Sequence, residues 1–353
     1  MSKIPITILG ATGMVGQRFV QLLHDHPTFE ITALAASPRK EGKSYREACH
    51  WVLDEDMPEV YRDMILSPIQ PEPESGGASQ IVFSALPADI AREKEPLFAE
   101  AGYLVCSNAS AFRMEPDVPL IIPEVNAHHL SLIDRQRAQR GWKGCIVTSP
   151  NCTTTTIVMA LKPLDEAFGI KKLFVATLQA VSGSGYPGLS YQDIHSNVIP
   201  FIDGEEEKIE SETRILLGDI VSGERIPKEV LISAQVNRVP VVDGHMVNLS
   251  IGFEKKPSIE EAKSVLCAYK GSEVVQQLPG APAHPVVVRE EKDRPQPRRD
   301  RNTADGMVAS VGRIRECPLL DLRLVAVTHN AIRGAAGGAI LNAELLAAQG
   351  YIL

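Results

Sequence analysis

No two of the six cysteines (Cys49, Cys106, Cys145, Cys152, Cys267 and Cys317) stand in CxxC spacing, which removes the zinc ribbon and the dithiol redox motif. No metal site is expected. No apolar run reaches the roughly 18 residues that a membrane-spanning helix needs. Met1 leads straight into a strand-like run, with no basic segment and long apolar stretch, so no signal peptide is expected. Positive charge is in deficit: 36 Lys and Arg stand against 44 Asp and Glu, a formal net charge of -8. Non-specific nucleic-acid binding relies on basic patches, so no nucleic-acid partner is expected. The 25 prolines and 26 glycines are scattered, and no internal repeat is visible. These absences point to a reduced, cytoplasmic, globular protein with no membrane or nucleic-acid partner.

The chain has 353 residues, 44% of them hydrophobic and 23% charged. At about 150 residues per domain this suggests roughly two domains. Residues 3–9 (KIPITIL) read as a buried strand, 10–16 (GATGMVG) as a glycine turn, and the run to His24 as a helix ended at His26-Pro27. FEITALAAS (29–37) is a second strand. QIVFSAL (80–86) and YLVC (103–106) are continuous apolar runs, as in a parallel sheet covered on both faces, with a helix between them at Ala88–Ala101. The fold class is therefore α/β, opening with a doubly wound Rossmann-type domain. From about 173 longer strand-like runs dominate, which suggests a second, α+β domain with a mixed or antiparallel sheet. Residues 271–302, rich in Pro, Glu and Arg, read as an extended surface arm, and 330–349 returns to helix.

The glycine turn follows a strand and opens a helix, the context that gives a glycine pattern meaning. Gly10, Thr12, Gly13, Met14 and Val15 are candidate nucleotide contacts. Glycine lets the backbone approach a pyrophosphate seated on the helix N-terminus. The second strand ends in Ser37-Pro38-Arg39-Lys40, with Lys43 beyond, and carries no acid. A hydroxyl and cations suit a 2′-phosphate, so Ser37 and Arg39 point to NADP rather than NAD; the alternative is a solvated loop.

CIVTSPNCTTTTIVMALKPL (145–164) runs from a strand into Ser149-Pro150-Asn151-Cys152 and then an apolar helix. Cys152 stands at that helix's start, where the dipole favours a thiolate, an arrangement suited to aldehyde chemistry through a thioester. The other five cysteines read as small buried hydrophobes. A proton shuttle is needed, and His245 stands out among nine histidines because it follows Asp243-Gly244, a hairpin signal. In a two-residue hairpin 242 pairs with 245 and 238 shares that face, which puts Arg238 beside His245. The alternative is an exposed hairpin with incidental polar residues.

With these residues assembled, the chain resembles the aspartate-β-semialdehyde dehydrogenases of the branch typical of archaea and fungi, essentially end to end. The likeness rests on GATGMVGQRFVQLL, FSALP, SNASAFRMEPDVPLIIPEVN, SPNCTTT, QAVSGSGYPG, NRVPVVDGH, RPQPRRDRN and HNAIRGAAGG. It implies an NADP-binding Rossmann domain at 1–151, to which the 330–353 helix returns, and a catalytic and dimerisation domain at 152–329. It implies reduction of an aspartyl acyl phosphate to the semialdehyde with release of phosphate, on the route to lysine, threonine and methionine, by a homodimer or homotetramer. Carried over by position, Cys152 is the nucleophile and His245 the acid/base. Gln179 places the substrate, Arg238 clamps its carboxylate, and Arg113 and Asn151 contact phosphate and substrate. Glu205 and Lys208 match a Glu-x-x-Lys pair for the substrate amine and the phosphate, although the run of three glutamates leaves that register open by one residue. Ser182, Gly183 and Asn330 match residues that seat the nicotinamide.

Malonyl-CoA reductases of the same superfamily share most of these landmarks, and Asn151 favours the semialdehyde enzyme over them. N-acetyl-glutamyl-phosphate reductases use a different cysteine motif. A non-catalytic NADP sensor would keep the glycine loop and lose the cysteine constellation, which is complete here. The arginines at 294, 298, 299 and 301 read either as a solvated arm or as an intersubunit or phosphate contact.

Overall fold

The computed structural model describes residues 3–71 and 81–352. Gln80, read above as the first residue of a strand, and Met1 and Leu353, the outer bounds of the expected domains, lie outside the described residues. The chain divides into two compact units, one made of Met1–Ile121, His128–Ser149 and Ala336–Leu353, the other of Ile122–Ala127 and Pro150–Ala335.

The first unit holds a parallel sheet of β1 (Ile4–Leu9), β2 (Phe29–Ala35), β3 (Ile81–Ser84), β4 (Leu104–Ser107) and β5 (Cys145–Thr148). The strand order is β2-β1-β3-β4-β5. Every residue of β3, β4 and β5 is buried, as continuous apolar strands between helical layers require. The edge strand β2 alternates instead, exposing Glu30 and Thr32. Phe83 of β3 packs against Phe19 and Phe29, with ring centroids 4.9 and 6.1 Å away. The helix Met14–Leu23 carries the chain from β1 to β2, and the chain then returns to the other side of β1 to form β3. The C-terminal end of β1 is thus the topological switch point, where sheets of this kind bind ligands. The closing helix Gly337–Ala348 belongs to this unit, tied by Glu344 Oε1 to His26 Nε2 at 2.9 Å.

The second unit holds β6 (Ile170–Leu178), the small hairpin β7 (Asp219–Val221) and β8 (Glu224–Ile226), β9 (Leu231–Gln235), β10 (His245–Phe253), β11 (Val286–Arg289), β12 (Ala309–Glu316) and β13 (Leu322–Thr328). Six strands form one mixed sheet in the order β11-β12-β13-β10-β6-β9. β10 runs antiparallel to β6 and β13, while β9 is parallel to β6 and β11 to β12. One face is packed: Val175, Val247, Leu249, Ile251 and Leu324 form a core with Ile157, Leu161 and Leu164 of the helix Cys152–Phe168 and Ile209 of the helix Glu205–Leu216. That packing fixes the first turn of the Cys152 helix relative to the start of β10.

Two expectations are corrected here. Asp243-Gly244 is not a two-residue hairpin, because β9 and β10 are not partners; they flank β6 on opposite sides. Long-range pairing sets the register, and Gly244, at φ +102°, only turns the chain into β10. Arg238 bridges instead to Gln179 and Ile199. The 271–302 segment is not an extended arm throughout. Its Val286–Arg289 stretch is the edge strand β11, and its later part folds around buried Asp300. Asp300 accepts from Arg294 Nε at 2.7 Å and the Gln296 amide at 2.6 Å, and ion-pairs with Arg289 at 2.9 Å.

Candidate active site

In the first unit the glycine turn is built for close backbone approach. Gly10 has φ +74°, and a Cβ there would stand 2.7 Å from Ala85 O. A Cβ on Gly16 would stand 2.2 Å from Gly10 O, so the helix can pack onto the turn only with glycine at that position. Gly13 caps the helix Met14–Leu23 without a side-chain cap bond, which leaves the first-turn N–H groups around Met14 and Val15 to an external acceptor. Two buried side chains hold the turn from behind: Tyr45 Oη donates to Ala11 O at 2.9 Å and Gln17 Nε2 to Thr12 O at 3.2 Å. Burial drives the Tyr45 phenol far above its ordinary pKa, so it stays a donor. Ser37 and Arg39 are exposed just beyond β2, where Ser37 O accepts the Lys40 amide at 2.8 Å. Lys40 Nζ donates to Thr12 Oγ1 at 2.9 Å, so the cation that touches the glycine turn is Lys40, named above among the loop cations but not among the site residues. An uncapped helix start beneath glycines, with a hydroxyl and two adjacent cations at the next strand end, suits the phosphates of NADP. Arg113 also lies in this unit, 8% exposed, its Nη2 on Asn108 O at 2.9 Å.

The remaining residues belong to the second unit. Cys152 is the first residue of its helix, and Asn151 caps it, Oδ1 accepting from the amides of Thr153 and Thr154 at 2.9 and 3.0 Å. Asn151 Nδ2 donates to both oxygens of Glu205 at 2.9 and 3.0 Å, and Thr153 Oγ1 donates to Glu205 Oε1 at 3.2 Å. The structure thereby turns Glu205 inward, while Glu206 accepts the Val236 amide at 3.0 Å and Glu207 is exposed. Lys208 is half-buried, with Nζ 3.7 Å from where a Cβ on Gly204 would stand. Glu212, two turns beyond Glu205, accepts the Asn151 amide at 2.6 Å. Sequence reasoning missed it, although positions 205, 209, 212 and 216 fall on one face of that helix, all buried.

His245 opens β10 and is fully buried. Its Nδ1 accepts the Ala180 amide at 3.1 Å, so the neutral ring carries its proton on Nε2, which has no partner among the described residues. Burial first, then the charges of Arg238 and His329, push its pKa down to about 3, so the ring is neutral at pH 7. Arg238 Nη1 donates to Ala180 O at 2.7 Å. Burial lowers the Arg238 pKa, while Cys152 and Glu205 stand near enough to oppose that shift. Gly183 lies between the two side chains: a Cβ there would meet Arg238 Nη1 at 2.7 Å and His245 Nε2 at 3.1 Å. Gln179 is 1% exposed beside Arg238. Asn330 ties the surrounding loops together, donating to Ser182 Oγ at 2.8 Å and accepting the Gly244 amide at 2.8 Å. Arg301 Nη1 donates to Asp243 O at 3.1 Å, so the arginine segment braces the turn before His245. Asn151, Cys152, Gln179, Glu205, Arg238 and His245 thus belong to one constellation, joined by Glu212 and by Gly334, neither of which was singled out above.

The semialdehyde dehydrogenase NAD-binding domain model matches residues 5–133, and the semialdehyde dehydrogenase dimerisation domain model matches 161–333. The aspartate-semialdehyde dehydrogenase of Methanothermobacter thermautotrophicus is 51% identical over 345 residues, 97% of this chain and 99% of its own. The crystal structure of the Candida albicans aspartate semialdehyde dehydrogenase with NADP matches with a TM-score of 0.91 at 43% identity, covering 99% of this chain and all of that one. The Vibrio cholerae aspartate semialdehyde dehydrogenase II complexed with ASA matches at a TM-score of 0.78 and 25% identity, over the whole of both chains. No described helix is long and apolar enough to cross a membrane. Likeness of this extent runs through both units, and the chain belongs to the aspartate-semialdehyde dehydrogenase family.

Proposed function

We propose that this protein reduces L-aspartyl-4-phosphate to L-aspartate-4-semialdehyde with NADPH, releasing phosphate, and runs the phosphorylating oxidation in reverse, in lysine, threonine and methionine biosynthesis. The observation that carries the reading is Arg238, which stands near Cys152 and Glu205 and shares with His245 Nε2 the space that Gly183 keeps open.

Ala180 O holds Arg238 Nη1 and so fixes the guanidinium plane; its other donors are offered to the substrate carboxylate. Glu205 accepts three bonds from Asn151 and Thr153, and a carboxylate has about four acceptor sites, which leaves one for the substrate ammonium. Gln179 helps orient the acyl group, and Lys208 and Arg113 serve the phosphate. Cys152 Sγ attacks the acyl carbon; a C–S bond forms, and the C–O bond to phosphate breaks. The leaving phosphate takes up the one proton the overall reduction consumes. Gly10, Thr12, Gly13, Met14, Val15, Ser37 and Arg39 would hold NADPH, with Ser182, Gly183 and Asn330 serving its nicotinamide end, and the cofactor would supply the hydride that reduces the thioester carbon. As charge collects on the thioester oxygen, His245 Nε2–H shares its proton with it. The ring retains that proton when the carbonyl re-forms and the C–S bond breaks. A neutral imidazole donor is suited to this because it stabilises the oxyanion without a buried positive charge.

The dimerisation-domain match covers the second unit's sheet, whose β6 and β9 expose Phe174 (43%) and Leu231 (67%) on one face. A homodimer closing on that face, alone or paired into a homotetramer, would cover them. None of the six cysteines is in a disulfide, which suits a cytoplasmic location.

The test is steady-state oxidation of aspartate semialdehyde with phosphate and NADP, run beside reduction of malonyl-CoA. Phosphate-dependent semialdehyde oxidation is expected, and Cys152→Ala should lose it by several orders of magnitude while still binding NADP. Robust malonyl-CoA reduction without phosphate-dependent oxidation, or more than a few per cent of activity in the alanine variant, overturns the reading.

A further inference from the structure

Gly334 packs directly on Cys152. A Cβ on Gly334 would stand 2.7 Å from Cys152 Cβ and 3.0 Å from its Cα. Gly334 lies in a π-helical turn, Ile332–Ala336, with its amide on His329 O at 3.1 Å. Such turns are rare, appear mostly singly, and are frequent at functional sites. The preceding residue, Arg333, is 2% exposed and is among the largest fully buried side chains. Its Nη2 is bonded to Glu124 Oε2, and its Nε donates to Met159 Sδ at 3.0 Å. Met159 belongs to the helix that Cys152 opens. Glu124 is seated in its turn: Tyr269 Oη donates to its carbonyl at 2.6 Å, and a Cβ on Gly271 would stand 3.2 Å from its Cα.

The pair is a costly choice for stability alone. Both side chains are buried, and Arg333 Nη1 and Glu124 Oε1 have no hydrogen-bond partner among the described residues. A buried ion pair with open valences stabilises no better than apolar side chains of similar volume. What it supplies is geometry: one guanidinium ties the π turn both to the body of the Cys152 helix and to an anchored carboxylate. We propose that the Arg333–Glu124 pair positions Cys152 for attack, by holding the π turn so that Gly334 bears on the nucleophile and fixes the direction of Sγ. The proposal rests on Cys152 being the nucleophile, and its test reads the thiol without turnover.

Removing one partner would strand a buried charge, so both are replaced in Arg333→Met/Glu124→Leu. The readout is the rate of Cys152 carboxamidomethylation by iodoacetamide in ligand-free enzyme, followed by mass spectrometry, alongside kcat and NADP affinity. In the double variant alkylation of Cys152 should slow about tenfold and kcat fall about a hundredfold, with NADP affinity unchanged. A folded double variant with wild-type alkylation and kcat overturns the proposal. Should the double variant not fold, Gly334→Ala carries the test: slowed alkylation supports the proposal, and a wild-type rate overturns it. Arg140→Met is the control, since it breaks the Arg140–Asp117 pair of the first unit, 2.5 Å across, and should lower stability while leaving the thiol's rate unchanged. A control that slows alkylation as much as the double variant reduces the effect to general loosening and also overturns the proposal. Turnover surviving in Cys152→Ala would instead remove the proposed function and leave the alkylation comparison standing.

Discussion

Gly183→Ala isolates the space shared by Arg238 and His245. Gly183 is not at positive φ, so alanine fits its backbone, and shortening the unfolded chain's conformational freedom favours the fold by about 0.4–1 kcal/mol. The new methyl would stand 2.7 Å from Arg238 Nη1 and 3.1 Å from His245 Nε2. His245 cannot yield, because it is fully buried and held at Nδ1 by the Ala180 amide at 3.1 Å. Arg238 must therefore move, giving up its 2.7 Å bond to Ala180 O. A guanidinium pulled off this anchor no longer meets the substrate carboxylate squarely; one charge-assisted bond to that carboxylate contributes about 1.5–3 kcal/mol, so kcat/KM for aspartate semialdehyde should fall roughly ten- to a hundredfold. The loss should appear chiefly in the KM of the carboxylate substrate; Tm should fall, because the lost bond outweighs the gain from the unfolded chain, and NADP affinity, measured by calorimetry, should change far less than that KM. Weakened NADP binding with an unchanged semialdehyde KM would refute the reasoning and assign Gly183 to the cofactor alone.

What was legible in the sequence was what local chemistry decides. The glycine spacing and the unbroken apolar runs marked the parallel sheet, because strands buried on both faces admit no polar alternation. The passage from the strand through Ser149-Pro150-Asn151 into an apolar run marked the start of the Cys152 helix, which Asn151 caps with its side chain. Arg238 and His245 were paired for a wrong reason: the expected hairpin is absent, yet both reach Ala180, through its carbonyl and its amide. Val286–Arg289 was lost in a Pro- and Arg-rich stretch, since only its pairing with β12 makes it a strand. Which cation of Arg39-Lys40 turns inward depends on the turn at Ser37, and the contact of Gly334 with Cys152 has no local signature at all.

Three further outcomes are expected. Arg39→Ala should weaken NADP by at least about tenfold in calorimetric titration and leave NAD nearly unchanged, by loss of a contact to the 2′-phosphate; equal losses would show that Arg39 does not read it. Glu212→Ala leaves the Asn151 amide without its 2.6 Å acceptor and should destabilise the enzyme by about 1–3 kcal/mol in denaturant melts, whereas Glu212→Gln, which can still accept, should recover most of that. The last concerns Glu95, which is fully buried in the first unit and takes the Ser107 hydroxyl at 2.6 Å. Burial pushes its pKa up to about 7 against the opposing Ser107 and Ser84 hydroxyls. The folded state therefore keeps a proton that the unfolded chain loses near its ordinary value of 4.5. Between those two pH values the native state binds more protons, so stability must fall as pH rises, and above about 7 the full cost of a buried charge remains. At about 1.4 kcal/mol per unit the cost is about 3.5 kcal/mol, and Glu95→Gln, which keeps the bond from Ser107 without the charge, should remove it. Calorimetric melts at pH 4.5 and 8 check this: the variant should match the wild type at the lower pH and exceed it at the higher. A variant no more stable than the wild type at pH 8 would show that Glu95 is not held neutral by its surroundings.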